Sequence, residues 1–422
     1  MLNNNESERL MLKLPFGFRD IFPVEARERK NIEEIIRKQF ESWGYGEIKT
    51  PVVEYTENIA FGAGKGWKDK LISFFDTDGN LISMRADMTI PVARVTGMRL
   101  KKSQLPARFY YFANSFRQSG AQKGKKRFFN QAGLEFVGTD SISGDIEVLT
   151  VLAEIMRRLD IKSFRIALSH TKFLEGMSKW FGLVTSAADF VKKKMIAKDF
   201  VGLKDFLEKI SKKKSGTFFS LMEPSEDFSL LKSYSDKIEN KTASESLIYV
   251  AEIYNVLKKL GFAENFMLDL GTVRDFEYYS GLLFEVYSPK ISEIIGSGGR
   301  YDGLIKKFGL DVAGTGFALD VDLLHKSLER FDVPVNAPEK IVLAGPETEI
   351  ARLIALSAKL RSGGSVVELM PLTGDDLNKL KKEISADFLY ISDFKNESVT
   401  IRNLRDKTEK NVKLADLGAG LK

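Results

Sequence analysis

The stretch RFYYFANSFRQSGAQKGKKRFFNQAGLEFVG, residues 108–138, is the part of the sequence that decides the fold. A strand-like run ends at Arg117, a Gly-rich basic loop follows, and the chain then returns into a second strand. Because side chains alternate along a strand, Gln131, Gly133 and Glu135 lie on one face of this second strand. An arginine fork suits a carboxylate or a phosphate, while an amide and a carboxylate suit an ammonium or imidazole group. The loop supplies further groups suited to phosphate, namely Lys123, Lys125, Lys126 and Arg127.

A second polar cluster lies in MRADMT, residues 84–89. Arg85, Asp87 and Thr89 alternate along a predicted strand, so all three are expected to face the same side. A basic, an acidic and a hydroxyl group in one row indicate either a polar cavity or an exposed sheet face.

A third cluster lies in VRDFEYYSG, residues 273–281. Arg274 follows a predicted strand. The adjacent Tyr278 and Tyr279 are expected to point to opposite sides, so that one closes a pocket while the other packs.

The stretch GSGGRYDGL, residues 296–304, follows soon after. Gly298 and Gly299 are small enough for a ligand to approach the backbone closely. Arg300 is interpreted as structural, in an ion pair with Asp302 or a neighbouring acid.

The stretch GTGFALDVDLL, residues 314–324, poses a separate question. A Gly-x-Gly turn entering an apolar helix is a place where backbone N–H groups can meet a phosphate. Its polar side chains, however, are Asp320 and Asp322, and no basic residue appears before Lys326. It is therefore a nucleotide site, a former nucleotide site, or part of the core.

The remaining pattern predicts the order of the elements. Ile32, Ile36 and Phe40 keep the spacing of a long amphipathic helix. The dipeptide Asp78-Gly79 predicts a hairpin turn, and residues 145–159 predict a helix with Asp145 as its cap.

Domain boundaries follow from a change of pattern along the chain. The pattern of residues 171–262 predicts a series of helices, whose Lys-rich outer faces are interpreted as solvated. Two prolines mark a linker at 331–337, which separates a domain at 1–330 from a C-terminal α/β domain at 338–422. In that C-terminal domain SVTIRNL, residues 398–404, is predicted to be the last strand.

Composition excludes several classes of site. There is no cysteine, which excludes disulfides, thiolate zinc sites and a cysteine nucleophile. The two histidines, His170 and His325, lack metal-ligand spacing, so we expect neither a metal nor a cofactor. The polar N-terminus and the lack of a long apolar run indicate a cytoplasmic protein without membrane contact. A net charge of +6 permits contact with anions but does not demand nucleic acid.

Taken together and in this order, the motifs resemble those of the histidyl-tRNA synthetase family, a branch of the class II aminoacyl-tRNA synthetases. LPFGFRDIFPVEA, residues 14–26, resembles the opening segment of the family, and 116–138 resembles its second class-defining motif. VRDFEYYSG and GGRYDGL are similar to its two histidine-specific motifs, and GTGFALDVDLL falls where the third class-defining motif belongs.

The resemblance implies an α+β fold, in which helices flank a class II synthetase-like antiparallel sheet. The resemblance also implies that residues 171–262 correspond to the helical insertion of the family and that residues 338–422 correspond to a diverged anticodon-binding domain. The implied histidine-binding residues are Asp87, Thr89, Arg117, Gln131, Glu135, Arg274, Tyr278 and Tyr279.

Four positions depart from the pattern of active synthetases. The glutamate that holds adenine is replaced by Ser119, and a family glycine is replaced by Asp320. The Glu-Arg pair that ends the third motif is replaced by Asp322-Leu323, so no arginine grips the ATP phosphates. Each such charge-assisted hydrogen bond contributes about 1.5–3 kcal/mol, and Asp320 would repel the polyanion.

The ATP half of the site therefore looks lost and the histidine half kept. This asymmetry, together with MRADMTIPVAR, resembles the family's regulatory offshoot, the regulatory subunits of ATP phosphoribosyltransferase. That resemblance implies a non-catalytic subunit that binds a short-form catalytic subunit, activates it and mediates feedback inhibition by L-histidine. It also implies a homodimer within a hetero-oligomer.

Two alternatives remain open at this point. The first is an active histidyl-tRNA synthetase, supported by the length of the chain and by Arg117 and Arg274. The second is a non-catalytic RNA-binding or stress-sensing relative, although the tail carries ISADFLYISDFKNESVT, which has more acid than base.

Overall fold

A computed structural model of the protein describes residues 13–118, 126–273, 276–328, 339–373 and 386–417. The chain divides into two compact units, residues 1–333 and 334–422, and each is described by itself. The division falls within the predicted linker 331–337, which lies outside the described residues. Lys123, Lys125, Ser119 and Arg274 lie outside them too. So does most of TGDDLNKLKKEIS, residues 373–385, for which the sequence predicts a helix.

A mixed sheet of eight strands forms the centre of the first unit, in the order β1-β5-β6-β11-β10-β9-β7-β8. The strands β5, β6, β11, β10, β9 and β7 pair antiparallel, and the short β1 and β8 add parallel edges. The predicted antiparallel sheet flanked by helices is confirmed. The bounds are β1 Gly46–Glu47, β5 Ala107–Phe116, β6 Phe128–Val137, β7 Arg165–His170, β8 Phe266–Leu268, β9 Leu282–Tyr287, β10 Gly296–Arg300 and β11 Gly314–Asp320.

Two long helices, α1 (Pro23–Ser42) and α4 (Ile142–Arg158), contribute to the main core with this sheet. The predicted spacing in α1 is confirmed, because Ile32, Ile36 and Phe40 are all buried. The start of α4 differs from the prediction. Asp145 is not its cap but lies fully buried in the first turn, where it pairs with Arg300 at 3.0 Å.

A small antiparallel sheet, β2 (Val53–Tyr55), β4 (Leu81–Met84) and β3 (Ser73–Phe75), leads into the site. The predicted hairpin turn between β3 and β4 is confirmed, since Gly79 adopts a φ of 80° there. The predicted strand over 84–89 is wrong beyond Met84, because β4 ends there and helix α3 (Thr89–Arg99) begins five residues later. Helix α2 (Thr56–Ala63) follows β2.

The predicted helical stretch at 171–262 is confirmed as six helices among the described residues. They are α5 Thr171–Phe181, α6 Thr185–Ile196, α7 Phe200–Ile210, α8 Lys212–Met222, α9 Leu230–Ser235 and α10 Lys241–Lys259. Their buried side chains, such as Leu203, Phe218 and Val250, belong to the same core as the large sheet. The insertion is thus packed into the first unit.

Glycines let the middle strands of the sheet lie close together. A Cβ on Gly298 would lie 2.2 Å from the Gly316 carbonyl oxygen, and one on Gly299 would lie 2.3 Å from the Leu282 carbonyl oxygen. The expectation that Gly298 and Gly299 leave room for a ligand is therefore wrong, since neighbouring protein backbone occupies that space. Short helices α11 (Leu304–Lys307) and α12 (Val321–Ser327) complete this unit.

The second unit is a small α/β arrangement with the sheet order β13-β12-β14-β15-β16. Helix α13 (Ile350–Ser362) packs on it through Leu353, Leu356 and Leu360. The strands are β12 Lys340–Pro346, β13 Val366–Leu372, β14 Phe388–Asp393, β15 Ser398–Asn403 and β16 Glu409–Lys413. Residues 398–404 are not the last strand, because β16 pairs antiparallel with β15.

Candidate amino-acid pocket and a closed acidic corner

A small cavity of about 60 Å³ lies where β5, β6, β10 and β11 meet the segments before α3 and β9. The structure brings six of the eight predicted site residues to its lining: Asp87, Thr89, Arg117, Gln131, Tyr278 and Tyr279. Glu135 lies directly behind, with its carboxylate bonded to lining residues. The eighth, Arg274, lies outside the described residues.

Two buried carboxyl groups dominate the chemistry of the cavity. Glu135, 1% exposed, accepts hydrogen bonds from the Thr89 hydroxyl at 2.8 Å and from the Tyr301 hydroxyl at 2.5 Å. Asp87 accepts from the Tyr278 hydroxyl at 3.1 Å and from the backbone N–H of Ile90 at 3.2 Å. Burial raises the pKa of Glu135 to about 8, and burial also raises the pKa of Asp87 against the opposing effect of Arg117.

Although the strand prediction for 84–89 was wrong, Asp87 and Thr89 both reach the cavity from the turn that leads into α3. Arg85 does not join them. Its guanidinium donates to the backbone carbonyls of Asn114 at 2.7 Å and Thr50 at 3.0 Å. Arg85 thus ties β4 to the large sheet.

Arg117 follows the last residue of β5, as predicted. Its Nε donates to the Ala86 carbonyl at 3.0 Å, and its guanidinium carbon lies 5.2 Å from the Phe129 ring and 5.5 Å from the Phe276 ring. Aromatic faces attract and orient a guanidinium. The rings therefore hold the positive end of Arg117 at the cavity lining.

The two tyrosines do not point to opposite sides as predicted. Residues 277–279 form a turn instead of a strand, and the Tyr278 and Tyr279 rings lie 4.7 Å apart, both on the cavity. Gln131 is on the predicted face of β6, and its side-chain oxygen accepts a hydrogen bond from Ser115 at 2.6 Å.

Two tyrosines of the lining were missed. Tyr111 is 1% exposed, and among the described residues its hydroxyl finds no hydrogen-bond partner. It lies on β5 an even number of residues before Arg117, so strand alternation puts it on the same face and could have identified it. Tyr301 stands within GGRYDGL, but nothing in that motif predicted its contact with Glu135.

A second feature, the acidic corner, consists of Asp320 and Asp322 and their basic partners. The Gly-x-Gly predicted as a turn lies inside β11, and Asp320 caps α12 by accepting from the backbone N–H groups of Asp322 and Leu323. The Lys126 ammonium lies 3.4 Å from both carboxylates. The guanidinium of Arg29 lies 2.6 Å from Asp322, and both side chains are buried.

These contacts close the corner to an anion. Its cations already face carboxylates of the chain itself, and burial raises the pKa of Asp320. Leu323, where an arginine would be needed, is 6% exposed and packs in the main core. Of the three interpretations of residues 314–324, a working nucleotide site agrees least with this geometry.

The cavity and the corner differ in what they can bind. The cavity combines carboxyls, hydroxyls and a guanidinium, which together suit a small zwitterion that carries an ammonium and a carboxylate. Arg300, by contrast, is structural as predicted, since it bonds Asp145, Asp302 and two backbone carbonyls. Within the described ranges, neither a cluster of metal-ligating side chains nor a helix fit to cross a membrane occurs.

Comparisons with a family model, with curated relatives and with solved structures all point to the same family. The family model described as histidyl-tRNA synthetase matches residues 17–324. An ATP phosphoribosyltransferase regulatory subunit of Symbiobacterium thermophilum is 35% identical over 86% of this chain and 93% of its own length. One of Moorella thermoacetica is 30% identical over 86% and 93%.

The fold of this chain is also similar to those of two solved structures. A protein of Bacillus halodurans, described as an ATP phosphoribosyltransferase regulatory subunit/histidyl-tRNA synthetase, has a TM-score of 0.79 at 28% identity. That alignment covers 91% of this chain and 99% of the other. Histidyl-tRNA synthetase of Nostoc sp. has a TM-score of 0.78 at 21% identity, over 97% and 98%, which shows the shared fold alone.

Proposed function

Because the chain belongs to the histidyl-tRNA synthetase-like family of ATP phosphoribosyltransferase regulatory subunits, we propose that it is a non-catalytic subunit that binds and activates a short-form catalytic subunit. The partner enzyme joins ATP to phosphoribosyl pyrophosphate in the first step of histidine biosynthesis. We further propose that the chain works in the cytoplasm as a homodimer within a hetero-oligomer.

The acidic corner is the observation that carries the non-catalytic assignment. A synthetase must hold the triphosphate of ATP with cations, and here Arg29 and Lys126 face Asp320 and Asp322 instead. Opening the corner to ATP would leave buried carboxylates beside a polyanion, which is strongly unfavourable at low dielectric. Leu323 adds no donor.

The effector in this proposal is L-histidine, bound in the cavity. Asp87, Glu135 and Gln131 supply acceptors for its ammonium and imidazole N–H groups, and Arg117 supplies a fork for its carboxylate. Tyr278, Tyr279 and Thr89 line the same space, and we assign Arg274 to this set from the family motif. An effector that binds one state of the complex better than the other shifts the balance between them.

The activation claim is tested by mixing the purified chain with the short-form catalytic subunit of the same organism. We expect a co-eluting complex at micromolar concentration and a higher phosphoribosyltransferase rate than that of the catalytic subunit alone. A catalytic subunit whose rate and elution are unchanged by the chain would refute the proposed function.

Histidine-dependent exchange between ATP and pyrophosphate separates this proposal from an active synthetase. The purified chain alone is expected to give no exchange above background, with an authentic histidyl-tRNA synthetase as the positive control. Robust exchange would make the chain a synthetase.

The pocket claim is tested by calorimetric titration of L-histidine. Asp87→Asn removes a charged acceptor, so we expect binding to weaken about tenfold to a hundredfold, as for loss of one charge-assisted hydrogen bond. Asp302→Asn is the matched control, because Asp302 has a half-exposed side chain outside the cavity lining. Equal affinity of all three proteins would place the effector elsewhere.

A further inference from the structure

A short part of the helical insertion carries an excess of positive charge. Residues 185–214, which form α6, α7 and the start of α8, contain nine lysines and no arginine. Four acidic residues accompany them, which leaves a net charge of +5, against +6 for all 422 residues. This local excess gives the insertion a positive field of its own.

Six of these lysines are exposed and define what we call the lysine face. Each of the three helices buries one stripe in the core, through Met195 on α6, Leu207 on α7 and Phe218 on α8, and leaves the opposite side to water. Within the described ranges none of the six takes part in an ion pair. They are Lys193, Lys198, Lys204, Lys209, Lys212 and Lys213.

Large apolar side chains lie among these lysines at the turn between α6 and α7. Val201 is 77% exposed, Ile196 is 42% exposed and Phe200 is 40% exposed. The phosphate backbone of a nucleic acid binds cations but does not bury aliphatic side chains. Residues 185–214 also lack arginine, whose planar guanidinium binds phosphate through two parallel hydrogen bonds. Apolar groups within a cationic rim fit the anatomy of a protein–protein interface.

We propose that the lysine face, with the apolar turn at its centre, is the surface on which the catalytic subunit docks through an acidic patch. This inference rests on the proposed regulatory function. The lysines steer and orient the partner, so their main effect is on the association rate, and the apolar side chains are buried once the complex forms. Lys194 pairs with Asp199, whereas the six lysines of the face form no ion pair among the described residues, so their charge is available for steering.

The test replaces one lysine on each helix of the face. The variant Lys193→Glu/Lys204→Glu/Lys213→Glu changes the net charge of residues 185–214 from +5 to −1. The control Lys258→Glu/Lys259→Glu/Lys410→Glu makes the same change in total charge at three exposed lysines elsewhere. Thermal unfolding checks that all variants fold. Association with the catalytic subunit is measured by surface plasmon resonance from low to moderate salt.

We expect the variant to associate about tenfold or more slowly at low salt and to lose most of the salt dependence of the wild type. The control should stay within about twofold of the wild type. Replacing the same three lysines by glutamine should give an intermediate rate. If the variant associates as fast as the control, and the catalytic subunit in its complex is still activated, the lysine face is not the docking surface. The proposed regulatory function would stand.

Two other results also decide the question. If the wild type forms no complex, the proposed function and the docking face fall together. If complex formation is unaffected by the variant but salt-sensitive binding of transfer RNA is lost, the lysine face serves nucleic acid and the docking assignment is wrong.

Discussion

The side chain of Asp322 forms a buried ion pair in the acidic corner. It stands where the synthetase pattern has a glutamate beside an arginine, and its carboxylate lies 2.6 Å from the Arg29 guanidinium. Both groups are buried, at 5% and 4% exposure. The pair substitutes an internal contact for one that would otherwise be made to a ligand.

Removal of Asp322 should therefore destabilise the chain. Asp322→Ala leaves the buried guanidinium of Arg29 with only the more exposed Glu25, at 2.8 Å, so we expect a loss toward the lower end of the about 3–5 kcal/mol typical of a buried pair broken on one side. Urea unfolding measures the change. Asp302→Ala is the control, because that carboxylate is half-exposed and its partner Arg300 keeps Asp145, so a loss below about 1 kcal/mol is expected. Equal losses in both variants would contradict this account.

Glu135 gives a pH-dependent prediction. Burial raises the pKa of Glu135 from its ordinary 4.5 to about 8, so the folded protein holds this proton more tightly than the unfolded chain does. Its contribution to stability is therefore present at low pH and is lost as the pH rises from about 4.5 to 8, by up to about 1.4 kcal/mol per unit.

Glu135→Gln removes this titration while keeping the size of the side chain. In the absence of histidine, the stability of the variant relative to the wild type should increase from pH 5 to pH 8, as measured by urea unfolding at several pH values. A difference that does not vary with pH would mean that Glu135 is already ionised in the folded protein.

Strand β11 couples the pocket to the acidic corner at the level of an element. Gly316 pairs with Glu135 on β6, and Asp320 at the end of the same strand caps α12. A single strand thus fixes the position of the buried carboxyl and the start of the helix that carries Asp322. Gly314 and Gly316 must stay small, because a Cβ would lie 2.4 Å from the Tyr301 ring at the first and 2.2 Å from the Glu135 carboxylate at the second.

Gly316→Ala tests this packing. Its Cβ would lie 2.2 Å from the Glu135 Oε2 and 2.3 Å from the Leu134 carbonyl oxygen, so we expect a loss of about 2 kcal/mol or more and weaker histidine binding. Gly303→Ala is the matched control, because nothing lies within 4 Å of the added Cβ. Chemical unfolding and calorimetry report the two effects. A tolerated Gly316→Ala would show that β11 can shift.

The sequence predicted helices and strands more accurately than it predicted contacts between distant side chains. Strand alternation correctly placed Gln131 and Glu135 on one face, and Arg117 at the end of β5, because a period of two is a local property. It failed at Asp87 and Thr89, where the chain leaves the strand, although the family motif still identified both as lining residues.

Contacts between distant segments were beyond the local pattern. Asp145 was predicted to cap its helix, yet it lies in the first turn and the fold buries it against Arg300 and Tyr249. Tyr301 reaches Glu135, and Lys126 reaches Asp320, only because the sheet order puts β6, β11 and β10 side by side. Such pairings depend on topology, which spacing along the chain does not encode.

At the scale of the whole molecule, the first unit combines a small polar cavity, an acidic corner whose cations face carboxylates of the chain itself, and a basic outer face on its insertion. These three features have separate residues: Asp87 and Glu135 in the pocket, Asp322 and Arg29 in the corner, and Lys204 on the outer face. Because they do not share side chains, each can be altered alone. A regulatory subunit needs this separation, since it must sense an effector and hold a partner without turning over ATP.

Feedback inhibition of the assembled complex tests the central claim most directly. The phosphoribosyltransferase rate of the complex is measured against L-histidine concentration for the wild type and for Glu135→Ala, which deletes a buried carboxyl of the pocket. We predict that histidine inhibits the wild-type complex, and that the variant still activates the catalytic subunit but is not inhibited. Unchanged inhibition in the Glu135→Ala complex would contradict the account and place the effector outside this pocket.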